Sequence, residues 1–247
     1  MKLLAFETAT EACSVAVWVD GEVRERFELA PRRHAELSLP WAGELLAQAG
    51  IARSQLDAIA LGRGPGAFTG VRLAIAIAQG IALALDRPLL PVSTLAALAM
   101  RAAQPAMPQA HGTAPGTGQR VFAAIDARMG ELYTAAYELR DGDAIALDRE
   151  ALLAPDAAAL PDAHNGWLGV GSGFAAADGA LATRLADRFS AIDAGALPHA
   201  ADVARLAALA WQRGEAIAPE RVEPAYLRDN VALTIVEQQA LRDSRGR

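Results

Sequence analysis

The sequence predicts an α/β chain of two lobes built on one plan, each a mixed sheet flanked by helices. Three observations carry this. First, "KLLAFETATEACSVAVWVDG" runs from an apolar strand through an acid, Glu7, and a polar turn to an alternating strand and an Asp-Gly turn. "VFAAIDARMGELYTAAYELRDG" repeats that order with Asp126 in the place of Glu7, which marks a duplicated supersecondary unit. The acid and the Asp of the turn are 13 residues apart in the first copy and 15 in the second. Second, strand and helix patterns alternate after each copy, as α/β lobes require. Third, 53% of the 247 residues are apolar but only 5% aromatic, so the core is expected to be alanine-rich, with small side chains in close-packed helices.

In chain order, Lys2 to Phe6 and Ser14 to Val19 read as strands, and Asp20-Gly21 as a hairpin turn into Glu22 to Glu28. "RRHAELSLPWAGELLAQAG" has helical spacing and ends on Gly50, with Pro40 expected to kink it or mark its inner start. "LDAIALGRGPG" is a strand entering a glycine loop. Thr69 is placed to N-cap a helix from about Gly70 to Asp86, and "RPLLPVS" gives a strand before the helical "TLAALAMRAA". Residues 1–103 form the first lobe and 104–118, rich in Pro and Gly, a loop; 119–247 form the second lobe, with the C-terminal helix packing back between the two. There "WLGVGSGFAAADGALATRLADR" reads as strand, glycine turn and helix, "DVARLAALAWQRGE" as an amphipathic helix, and "LRDSRGR" as a frayed end.

Composition narrows function. The net charge of -6 and the lack of a basic block argue against an RNA-binding protein acting alone. The single cysteine, Cys13, makes no internal disulfide or CxxC knuckle and fits a reducing compartment, so a cytoplasmic location is expected. No run reads as a signal peptide or approaches the roughly 20 apolar residues of a membrane span.

Gly62, Gly64, Gly66 and Gly70 match neither the Rossmann nor the Walker pattern. They read as an anion-attracting loop or as a tight strand-to-helix turn needing positive φ. Arg72, in the first helical turn, opposes the macrodipole and is expected to meet a carboxylate or bound anion. From Val71 to Asp86 only Arg72, Gln79 and Asp86 are strongly polar, and helix 34–50 also has two apolar faces. A helix on a sheet needs only one apolar stripe, so the second helix is either central in its own lobe or covered by another protein; surplus apolar surface on both helices suggests a helix-bundle interface. The four histidines are scattered without metal spacing, and "GVGSG" displaces the serine of a nucleophile elbow. Glu7 and Asp126 could hold a cation through water if the two lobes face a shared cleft, the one constellation with that rationale; lone acids at strand ends otherwise serve as turn caps.

These strings, with "FETATEACSVAV", "LGRGPGAFTGVRLAIAIAQGIA", "PLLPVSTLAALA" and "VEPAYLRDNVA", resemble the TsaB (YeaZ) family of bacterial tRNA threonylcarbamoyladenosine biosynthesis proteins. The resemblance implies the actin-like ATPase (ASKHA) fold and a non-catalytic paralogue of TsaD. In TsaD a segment like Val92 to Leu98 holds a metal on two histidines; here Thr94 and Leu98 stand in their places, and neither can ligate a transition metal. It further implies no cofactor on this chain, with ATP and metal on the partner proteins TsaD and TsaE, and tRNA met only within their complex. A heterodimer with TsaD, or a homodimer of the isolated chain, would use His34, Leu37, Trp41, Leu45, Val71, Arg72, Ile75, Ala78, Gln79 and Ala82. Glu7, Gly64, Gly66, Thr69 and Asp126 would mark a vestigial nucleotide or anion site. The family usually has Asp where this chain has Glu7. The alternative reading is a small actin-like ATPase or kinase using Glu7 and Asp126. A peptidase is disfavoured because no nucleophile, base and orienting group assemble.

Overall fold

In the computed structural model, which describes residues 1–103 and 118–228, alternation along the strands sets the layers. The first lobe comprises β1 (Lys2–Glu7), β2 (Ala12–Val19), β3 (Glu22–Leu29), α1 (His34–Gln48), β4 (Ala58–Gly62), α2 (Phe68–Leu85), β5 (Leu89–Val92) and α3 (Thr94–Ala99). Then follow β6 (Gln119–Arg128), β7 (Glu131–Arg140), β8 (Asp143–Ala146), β9 (Ala151–Leu153), β10 (Trp167–Val170), α4 (Ala176–Arg184), β11 (Phe189–Asp193) and α5 (Ala200–Gln212). The first sheet has the order β3-β2-β1-β4-β5 and the second β11-β10-β6-β7-β8, with β9 on β7. In each, three antiparallel meander strands join parallel strands through the first of the three. The two sheets therefore share one topology, and the repeat read in the sequence is a repeat of fold. Both Asp-Gly turns have positive φ at both residues, 49° and 105° at Asp20-Gly21 and 55° and 79° at Asp141-Gly142, as a type I′ hairpin requires.

Leu4 and Phe6 of β1 face α1 and α2, whereas Leu3 and Ala5 face the opposite core. In β6, Val121, Ala123 and Ile125 join that same core, while Phe122 and Ala124 face α4. The order of layers is α1 and α2, first sheet, α3 and α5, second sheet, α4. The middle layer is an exchange: α3 follows the first sheet but contacts β6 and β7, and α5 follows the second sheet but lies on β1, β2, β4 and β5. Alanines 5, 16, 58, 60, 123 and 135 line it, and their small side chains let helices and both sheets approach closely.

Several elements depart from expectation. Helix α1 begins at His34 and runs through Pro40, whose missing donor falls on the exposed side. Helix α2 starts at Phe68 after Ala67 with no side-chain cap, so exposed Thr69 is inside the first turn and caps nothing. At 18 residues α2 has the length and composition to cross a bilayer, contrary to expectation; here one face lies on β4 and its core. In α4, Ala177, Asp178 and Gly179 have positive φ, so the expected helix is broken there. Helix α5 is buried on nearly all sides rather than amphipathic, because both lobes cover it. The loop over 104–117, His111 and the 241–247 end lie outside the described residues.

The start of α5 is held by side chains of the other lobe. Ser14 Oγ accepts from Ala200 N at 2.9 Å and donates to Glu25 at 2.7 Å, and Glu25 also accepts from Ala201 N at 3.0 Å. His199 Nδ1 lies 2.8 Å from Glu25, and its ring stacks on Phe27 at 4.0 Å. Orphan amide donors at a helix start are thus capped in trans. Burial opposes ionisation of Glu25, but the His199 and Ser14 bonds prevail and hold its pKa below the usual carboxylate value. A lowered pKa stabilises the fold above the ordinary value and ceases to do so as pH falls through the lowered one. Glu25→Gln should therefore cost about 2 kcal/mol at neutral pH, with the deficit shrinking in acid. Urea unfolding of both proteins at pH 7 and near pH 3.5 measures this; a deficit that stays constant with pH would contradict it.

Candidate functional site

The glycine loop after β4 is filled by its own chain. Gly64 takes φ +91° before a cis peptide to Pro65, and Gly62, Gly66 and Gly70 are where the β1–β2 turn presses closest. A Cβ on Gly62 would stand 1.9 Å from Glu7 Oε2, one on Gly66 2.5 Å from Ala9 O, and one on Gly70 1.9 Å from Thr8 O. Ala67 N donates to Ala9 O at 2.7 Å, Thr8 Oγ1 donates to Gly70 O at 2.7 Å, and Arg63 N donates to Val92 O at 2.8 Å. Gly64 N donates to Thr94 Oγ1 at 3.2 Å, and Thr94 N returns a bond to Gly64 O at 2.9 Å. The amides of Arg63, Gly64 and Ala67 are thus engaged inside the chain, as a tight strand-to-helix turn requires.

Glu7 is 1% exposed, accepting from Ala9 N at 2.7 Å and Thr94 Oγ1 at 3.1 Å. Burial outweighs these bonds and raises its pKa to about 7. It is sealed from the water through which it was expected to hold a cation. Asp126 is bound within the second lobe, accepting from Arg128 N at 2.8 Å and pairing with the Arg128 guanidinium at 3.0 Å. Its own amide donates to Ser172 Oγ, so the "GVGSG" serine is an acceptor in a turn. Each acid is thus engaged inside its own lobe. Thr94 and Leu98 are fully buried. A hydroxyl committed to Glu7 and an isobutyl group beside Gly171 do not fit a metal.

The residues expected at a partner surface are placed differently. Trp41, Leu45, Val71, Ile75, Ala78 and Ala82 are buried in the chain's own core. Leu37 packs half-buried against it. His34 Nε2 lies 3.0 Å from Thr10 O and 3.1 Å from Ala12 O, tying α1 to the β1–β2 turn. Gln79 donates to Pro219 O at 2.8 Å. Arg72 is the one exposed member of the set, and among the described residues it pairs with no carboxylate: its guanidinium carbon lies 3.3 Å from the centroid of the Phe68 ring. Trp41, Leu45 and Leu46 of α1 and Val71 and Ile75 of α2 face the sheet. Facing outward are Ala35, Leu39 and Ala47, with half-exposed Gly43, on α1, and Ala76, Gly80, Leu83 and Ala84 on α2. Leu39 and Leu83 are 52% and 66% exposed. Ala and Gly at four-residue spacing, opposite the bulky face, were the sequence signal for this surface.

A carboxyl with a folded pKa near 7 retains its proton longer in the folded chain than in the unfolded one, so stability falls as pH rises from 4.5 to about 7. The loss is about 3 kcal/mol. Glu7→Gln should flatten that slope and gain stability at pH 8 relative to pH 5. Equal pH slopes for the two proteins in urea unfolding would refute the assignment.

The family model of TsaD, the tRNA N6-adenosine threonylcarbamoyltransferase, matches residues 28–235. The tRNA threonylcarbamoyladenosine biosynthesis protein TsaB of Escherichia coli K12 is 42% identical over 94% of this chain and 96% of its own length. That of Haemophilus influenzae is 36% identical, over 94% and 95%. A Pseudomonas aeruginosa crystal structure, described as an uncharacterized protein similar to the peptidase YeaZ, superposes with a TM-score of 0.81 at 46% identity, covering 92% of this chain and 99% of that one. By this likeness along nearly its whole length, the chain belongs to the TsaB (YeaZ) family of tRNA threonylcarbamoyladenosine biosynthesis proteins.

Proposed function

We propose that the chain is a non-catalytic partner and activator of a TsaD-type transferase, which moves a threonylcarbamoyl group to the adenosine beside the tRNA anticodon. The observation that carries this is the paired outward stripes of small and apolar residues on α1 and α2, next to an inner site whose polar groups bond one another. Glycine and alanine at four-residue spacing let a second pair of helices approach closely, as in a four-helix bundle. A specific interface of this kind buries about 1,600 Å². The chain needs no cofactor of its own; ATP and metal belong to TsaD and TsaE, and tRNA is engaged only through the complex, in the cytoplasm. The isolated chain pairs with itself through the same stripes.

Leu83→Asp places a charge on the exposed stripe without entering the core. It should abolish co-elution with the TsaD-type transferase of the same organism while leaving the thermal unfolding of the chain within about 0.5 kcal/mol of normal. Ile75→Asp would bury a charge in the core and serves as the unfolding control. Full tRNA modification by TsaD and TsaE without this chain would overturn the activator role.

A further inference from the structure

The first turn of α2 carries a cation, Arg72, that no carboxylate among the described residues neutralises. The Arg72 guanidinium carbon lies 3.3 Å from the centroid of the Phe68 ring and 5.1 Å from that of Tyr226. Phe68 and Arg72 stand at i and i+4 on the helix. Tyr226 comes from the segment 222–228, whose two ends are fixed: Val222 is buried in the α1 and α2 core, and Ala225 N donates to Arg63 O at 2.9 Å. At the far end Arg228 donates to Ala127 O at 3.0 Å and pairs with Glu131 at 2.8 Å. The rings are nonetheless 56% and 53% exposed.

Among the described residues no carboxylate lies within ion-pair distance of Arg72, whereas Arg128 and Arg228 pair with Asp126 and Glu131. A guanidinium held by its faces keeps its N–H edge available, and that planar fork matches a carboxylate. The helix start adds positive partial charge beside it. Arg72 also heads the outward row continued by Ala76, Gly80 and Ala84. A protein helix lying along that row would reach Arg72, whereas an RNA backbone would find no further cation along it.

We propose that Phe68, Arg72 and Tyr226 receive an Asp or Glu side chain of the same partner protein that packs on the α1 and α2 stripes. This rests on the partner face proposed above and adds the chemistry at its end. The test is the Kd between the purified full-length chain and the TsaD-type transferase, at low and high salt. Arg72→Ala should weaken binding about tenfold or more at low salt and flatten its salt dependence. Arg72→Lys should lose most of the same affinity, because an ammonium cannot stack and fork. If Arg72→Ala keeps the normal Kd and salt slope while Leu83→Asp abolishes the complex, the inference falls and the partner face stands. If neither variant affects binding, both fall. If Arg72→Ala leaves the transferase Kd unchanged and instead abolishes tRNA binding by the chain in fluorescence anisotropy, the acceptor is a phosphate and the proposal is overturned.

Discussion

The contact between the β1–β2 turn and the glycine loop is the constraint on which the rest of the first lobe depends. Residues 7 to 9 bond or press against Gly62, Gly66, Ala67, Gly70 and Thr94, with bonds between 2.7 and 3.1 Å. These contacts fix where α2 starts and, through Thr94, where α3 starts. Side chains at the glycine positions would collide mainly with backbone, which cannot step aside as a flexible side chain can. The glycines are therefore a consequence of close approach. The direction of α2, and with it the outward stripe, follows from that approach.

The second constraint is the exchange of helices between sheets. Helix α3 stands on the second sheet and α5 on the first, so neither lobe has a complete core without the other. Polar groups follow the same logic. Asp202, fully buried in the first turn of α5, is held by Arg101 from the far side of the exchange at 3.0 Å and by Arg205 at 2.6 Å, as a buried charge must be. Arg63 forks onto Glu150 at 3.1 Å through both oxygens, joining the glycine loop to the second lobe. The lobes are thus coupled by packing and by charge at separate points.

What could be read in the sequence followed from periodicity. The two Asp-Gly turns, the meanders and the repeat were legible because strand alternation and turn chemistry are local. The burial of α5 was not, because a helix covered by two sheets keeps the composition of one covered by a single sheet wherever its residues are alanine. The packing of Trp41, Leu45 and Ile75 in the chain's own core was hidden for a related reason. Trp41, Leu45 and Ile75 looked surplus only because the width of the sheet they cover is set by strands distant in sequence. Arg72 was expected to meet a carboxylate or anion; among the described residues it meets aromatic faces, one of them on Tyr226, more than a hundred residues away.

Glu7 is a buried acid whose bonding partners all lie inside the first lobe. The carboxyl at the end of β1 has its oxygens turned onto Ala9 N and Thr94 Oγ1 and closed off from solvent. Thr94 serves both Glu7 and Gly64, so it braces the loop. A neutral, sealed acid costs less to bury than an ionised one, which is why its pKa lies near 7. The same few bonds that occupy the inner site also hold the start of α2 in place, so the inner site and the outer face are two ends of one rigid network.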